Sequence, residues 1–156
     1  MVMIAGRRKM CELYTKAGQH VYSYRFDTRL WNKEVGVEGV QHFDNVAFSF
    51  QNISGLLGPS PGYDHHRRLA RAVGMAYVRF VYSLDPNPKR RDSGNGEEGP
   101  DVDSAAAVLP YWPRYDLDKP QNMVLNASGP FVEADDFRRE GINFLNSFEV
   151  ARELLS

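Results

Sequence analysis

The sequence predicts an α/β chain whose sheet is incomplete. Three observations carry this. In "HVYSYRFD", His20 to Asp27, Tyr22, Tyr24 and Phe26 alternate with Ser23 and Arg25, which is strand periodicity in strand-forming residues. From Leu69 the apolar residues fall at Leu69, Val73, Ala76, Tyr77 and Phe80, which is helical spacing with one face to bury. "NMVLN" reads as one further, short strand. One long strand, one short strand and two or three helices leave rows of unpaired N–H and C=O groups, so the sheet needs further partners.

Taken in order, Met10 to Lys16 predicts a short helix ended by Gly18. The His20–Asp27 strand follows, and then a glycine-bearing loop with Trp31 that leads to His42. "GLLGPSPGYDHHRR" is a chain break at Pro59, Pro61 and Gly62, followed by a helix start with Asp64 as N-cap. That helix stops at "DPNP", because proline cannot continue it. Lys89 to Ala107 is polar and charged and predicts a flexible loop at about residues 89–107. "LPYWPRYD" is a proline-aromatic turn, and "NMVLN" is the second strand. A last helix is expected from near Val132, with Glu133, Asp135 and Asp136 at the positive end of its dipole. Phe137, Ile142, Phe144, Leu145 and Phe148 would mark its buried side.

The bulk numbers exclude several classes. The 156 residues amount to one domain's length and carry a net charge of −1, so no overall field favours nucleic acid or an anionic membrane. Cys11 stands alone, which rules out an internal disulfide and a cysteine-based zinc site. No apolar run reaches membrane-spanning length, and the N-terminus lacks the charge-then-apolar order of a signal peptide. The triplets Asn52-Ile53-Ser54 and Asn126-Ala127-Ser128 matter for glycosylation only on the secretory path.

Three motifs offer chemistry and fail on physical grounds. "GPSPG" matches Gly-x-Ser-x-Gly around Ser60, but the residue after the serine must donate a backbone N–H to an oxyanion, and Pro61 has none. His65 and His66 are adjacent on a helix, where side chains diverge by about 100°, so no shared metal ion is expected. "PKRR" sits in the polar loop close to acidic residues and reads as solvated. No cofactor is implied. His42, in "GVEGVQHFDNVAFSF", remains as the candidate functional residue.

Four stretches in this order resemble the C-terminal part of a type B carboxylesterase, the cholinesterase-like branch of the α/β-hydrolases. "VYSYRFD" is similar to that family's last central strand, and "GVQHFDNVAFSFQN" resembles its catalytic-histidine loop. "AYVRFVYSLDPNP" is similar to the helix that follows, and "LPYWPRYD" with "NMVLN" to the tryptophan-proline turn and closing strand. The wording is nearest to fungal members. The resemblance implies a partial α/β-hydrolase domain over residues 1–156 and gives His42 the role of general base and then general acid toward a carboxylic ester. It also implies that the serine nucleophile, the triad acid and the glycine-rich oxyanion loop lie outside this sequence, so the 156 residues alone are expected to be inactive. Asn45 stands where the family usually has glutamate. The other readings are a non-catalytic cholinesterase-like interaction module, or a subunit that completes a triad across chains. The resemblance leaves the compartment open, since a complete parent protein could be secreted.

Overall fold

The computed structural model describes residues 2–30, 32–33, 39–52, 62–88 and 108–147. Four helices and three strands occur among them: α1 (Val2–Lys16), β1 (Tyr24–Phe26), α2 (Val46–Ser49), α3 (Asp64–Ser83), β2 (Gln121–Leu125), β3 (Phe131–Ala134) and α4 (Arg139–Leu145). The strands form one sheet in the order β1-β2-β3. The chain divides into two compact units. The first comprises Met1–Ser23, Pro113–Asn122 and Glu133–Ser156; the second comprises Tyr24–Trp112 and Met123–Val132.

In the first unit α1 is longer than the sequence predicts. Its buried side carries Ala5, Arg8 and Cys11, a three-residue spacing that keeps them on one face. The helix runs through Arg7 and Arg8 because both guanidiniums find a carboxylate, as described below. It ends where expected: Gly18 takes φ +76°, and the Gln19 N–H closes onto the Tyr14 carbonyl at 3.0 Å. α4 packs on α1, with Ile142 fully buried and Asn146 Nδ2 donating to the Ala5 carbonyl at 3.0 Å.

The last helix departs from its predicted place. Phe131–Ala134 is strand β3, and the helix begins only at Arg139. "FVEA" is too short to read as a strand alone and gains its pairing only from β2, so tertiary context overrides the helical reading. The residues expected on its buried side also differ, since Phe137 and Phe144 are exposed, Phe144 to 66%.

In the second unit β1 runs parallel to β2, with Tyr24 opposite Met123, Arg25 opposite Val124 and Phe26 opposite Leu125. The strand is shorter than His20–Asp27 because only these three residues have a strand partner. Further back, the Val21 carbonyl is taken by the Tyr115 N–H at 2.7 Å. Past β1 the Thr28 hydroxyl donates to the Leu125 carbonyl at 2.9 Å. The core joins Met123, Val124 and Leu125 to Phe48, Leu69 and Val73, all essentially sealed from solvent. Leu69, Val73 and Ala76 lie on the buried face of α3 that the spacing predicts. That helix starts at Asp64 with Tyr63 as its N-cap, one residue before the predicted cap. It ends at Ser83, where Leu84 turns into the left-handed region with φ 58° ahead of Pro86.

The Gly58–Gly62 motif, the 89–107 loop with "PKRR", Trp31 and Phe148 lie wholly or mostly outside the described residues.

Candidate active-site histidine and a buried charge cluster

His42 sits in the second unit, on the turn that leads into α2. The turn is built from its neighbours. Phe43 adopts φ 82°, and the Asn45 carbonyl starts α2 by accepting the Phe48 and Ser49 N–H groups at 3.1 and 2.9 Å. Asp44 is buried beneath. Its carboxylate accepts both bonds from Lys33 Nζ, at 2.9 and 2.7 Å, and a third from the Gln41 N–H at 2.8 Å. Asp44 therefore ties down the residue just before His42, while the His42 ring is left exposed. Its ring contact is with Phe43, centroids 6.4 Å apart. Among the described residues no carboxylate reaches the imidazole. Asn45 makes no side-chain capping bond to α2.

Below this turn α2 packs on α3. Phe48 stacks edge-on to Phe26 at 5.0 Å and lies 5.7 Å from the ring of His66. The approach is close enough that a Cβ on Gly74 would stand 2.8 Å from Gln51 Cγ, so any larger residue there requires the Gln51 side chain to move. His65 and His66 are nearer than the helical-divergence argument predicts, with centroids 4.5 Å apart at 71°, because both rings gather around Tyr63. His66 is buried and its Nδ1 has no hydrogen-bond partner among the described residues. Burial, and then the neighbouring His65, lower its pKa, which favours the neutral ring. No group of three metal-ligating side chains occurs among the described residues.

Sequence reasoning missed a cluster in the first unit. Asp135 is fully buried and is shared by two guanidiniums: Arg7 at 2.6 Å and Arg8 at 2.9 Å, both to Oδ1. Tyr115 donates its hydroxyl to Oδ2 at 2.9 Å, and Asn122 Nδ2 donates to Oδ1 at 3.0 Å. Arg7 also bonds Ser23 and Asn122. Burial alone would raise the Asp135 carboxyl, but the bonds and charges of Arg7 and Arg8 outweigh it and hold its pKa well below the usual range. Burial first, and then the bond to Asp135, pushes the Tyr115 hydroxyl well above its ordinary value. Burial likewise raises the Cys11 thiol. The signal in the sequence was Arg8, three residues from both Ala5 and Cys11 on one helical face.

No protein-family model matches the chain, and no curated protein does. Solved structures do match. An esterase from anaerobic Clostridium hathewayi that can hydrolyze aliphatic aromatic polyesters is similar at a TM-score of 0.63 with 20% identity, over 86% of this chain and 23% of that one. The Geobacillus stearothermophilus carboxylesterase EST55 gives 0.52 with 26% identity, over 81% of this chain and 22% of that one. A PNB esterase gives 0.55 with 18% identity, over 79% and 21%. The chain thus spans less than a quarter of the length of these esterases. Its fold, helices with a three-stranded sheet, is similar to part of theirs.

Proposed function

We propose that this chain is the histidine-bearing, C-terminal portion of a serine-type carboxylic-ester hydrolase of the carboxylesterase/lipase-like kind. The observation that carries the reading is the position of His42. It is an exposed imidazole on a turn that follows β1, in a chain whose fold is similar to part of three esterases.

In this reading His42 takes the proton of a serine hydroxyl as it attacks the ester carbonyl, and then returns it to the leaving alcohol. Asp44 is a positioning residue. Its oxygens are committed to Lys33 and Gln41, so it fixes the turn and leaves the orienting of the imidazole to another acid. The serine, that acid and the oxyanion donors come from elsewhere, either on a longer chain or on a second one. The 156 residues alone then lack the triad reaction. Purified as such, they should release no nitrophenol from short-chain nitrophenyl esters beyond the rate of free imidazole. Enzyme-like turnover that disappears in His42→Ala would overturn this.

The second reading, a non-catalytic interaction module, draws on an apolar stripe of α3. Val78, Val81 and Tyr82 share one helical face, and the latter two are 78% and 87% exposed. Among the described residues no helix is long and apolar enough to cross a membrane.

A further inference from the structure

Two Asn-x-Ser triplets, Asn52-Ile53-Ser54 and Asn126-Ala127-Ser128, lie outside the ester-hydrolase chemistry. The fold treats their asparagines differently. Asn52 stands where the chain leaves α2. Its N–H donates to the Ala47 carbonyl at 2.8 Å, and the residue is only 5% exposed. A large, hydrated sugar on that side chain could not stay in water while the fold holds.

Asn126 follows β2 on the turn that leads to β3. Its carbonyl accepts the Gly129 N–H at 3.1 Å, which closes the turn. Its Oδ1 accepts the Ser128 N–H at 2.9 Å, so the side chain folds back on its own backbone. The Ala127 N–H donates to the Thr28 hydroxyl at 2.9 Å and pins the turn to the segment after β1. Asn126 is partly exposed, and Ser128 and Gly129 are exposed. The Asn126 Nδ2 and the Ser128 hydroxyl make no hydrogen bond among the described residues. The two groups that glycan transfer needs, a carboxamide nitrogen and a hydroxyl two residues on, are thus unpartnered on a surface turn.

From this contrast we propose that Asn126 is an N-glycan acceptor and Asn52 is not, wherever the chain meets the oligosaccharide transferase of a secretory path. The donor is an oligosaccharide linked to a lipid diphosphate. Asn126 Nδ2 bonds to C1 of its first sugar and gives up one proton. The C1–O bond breaks, and the lipid diphosphate leaves with the electron pair, so nothing is oxidised or reduced. The site is independent of His42 and of the ester-hydrolase reading.

The test directs the 156-residue chain into the secretory path of cultured insect cells with a cleavable leader. Mass spectrometry then reads the peptides carrying Asn126 and Asn52, in both the secreted and the cell-retained protein. The expected result is a glycan on Asn126 that a glycan amidase removes without denaturant, and an unmodified Asn52 in the secreted chain. Asn126→Gln and Ser128→Ala should lose the glycan, and Asn52→Gln should keep it. A glycan on Asn52 confined to retained chain supports the proposal, because that chain then fails to reach the exported fold. Secreted protein with Asn126 bare, or with Asn52 modified, would overturn it. So would a bare Asn126 in the retained chain when none is secreted.

Discussion

Lys33 holds both carboxylate oxygens of Asp44, at 2.9 and 2.7 Å, and the pair is nearly closed to solvent. Asp44 in turn accepts the Gln41 N–H, so the ion pair clamps the turn that presents His42. Breaking a largely buried pair from one side strands the other charge. Lys33→Met should destabilise the second unit by about 3 kcal/mol. Urea denaturation measures this, and a change under about 0.5 kcal/mol, the size of an ordinary surface substitution, would show that the clamp carries no weight.

The shared carboxylate of the first unit should be less tolerant still. Asp135→Asn leaves Arg7 and Arg8 as uncompensated buried charges and should cost about 3–5 kcal/mol. Because the Asp135 pKa is depressed on folding, its contribution is fully present above the unfolded carboxylate range and is lost progressively as pH falls below that range toward the depressed folded value. The gap in urea midpoint between wild type and Asp135→Asn should therefore narrow as the pH is lowered from neutrality toward 3.

His66 acts in a higher window. Its pKa is lowered on folding from the ordinary 6.5, so the unfolded chain binds the proton more readily. Stability should be full above about pH 6.5 and decline below it. His66→Leu keeps an apolar contact for Phe48 and removes the titration. Relative to wild type, this variant should gain stability between pH 7.5 and 5.5. If the difference between the two proteins is the same at both values, His66 does not titrate in that window.

Gly74 is fixed by a neighbour across the helix pair. A methyl there would meet Gln51, at 2.8 Å from Cγ and 3.0 Å from Cδ, and Gln51 itself holds φ 50°. Gly74→Ala should cost about 1–3 kcal/mol through overpacking. Gln51→Gly relieves both the crowding and the backbone, so the double variant should recover most of the loss. A thermal melt of the four proteins completes the cycle, and additive effects would mean that the two sites do not touch.

Much of the second unit was legible in the sequence. The α3 spacing at Leu69, Val73 and Ala76, and the proline stop, are local properties that the structure keeps. The "NMVLN" strand is there too, as β2. What failed depended on partners distant in sequence. The strand at His20–Asp27 shrank to Tyr24–Phe26 because strand length is set by pairing. Val132 and Glu133 fell into β3 for the same reason. Asp135, read as a helix-dipole residue, is the centre of an ion cluster whose arginines lie 127 and 128 positions away. As for the site, the sequence picks out His42, and the structure adds that its turn is exposed and is clamped by Asp44 and Lys33.

The proposed role of His42 is tested most directly at the level of the transcript and the protein it encodes. The native transcript would be read through the region upstream of Met1 and the encoded protein expressed. Hydrolysis of a short-chain nitrophenyl ester would then be compared between wild type and His42→Ala. The expected result is an in-frame Gly-x-Ser-x-Gly with a glycine-rich oxyanion loop, and a fall in kcat of at least roughly 10³-fold in the variant. An active enzyme indifferent to His42→Ala, or a message that begins at Met1 and supplies no serine, would contradict it.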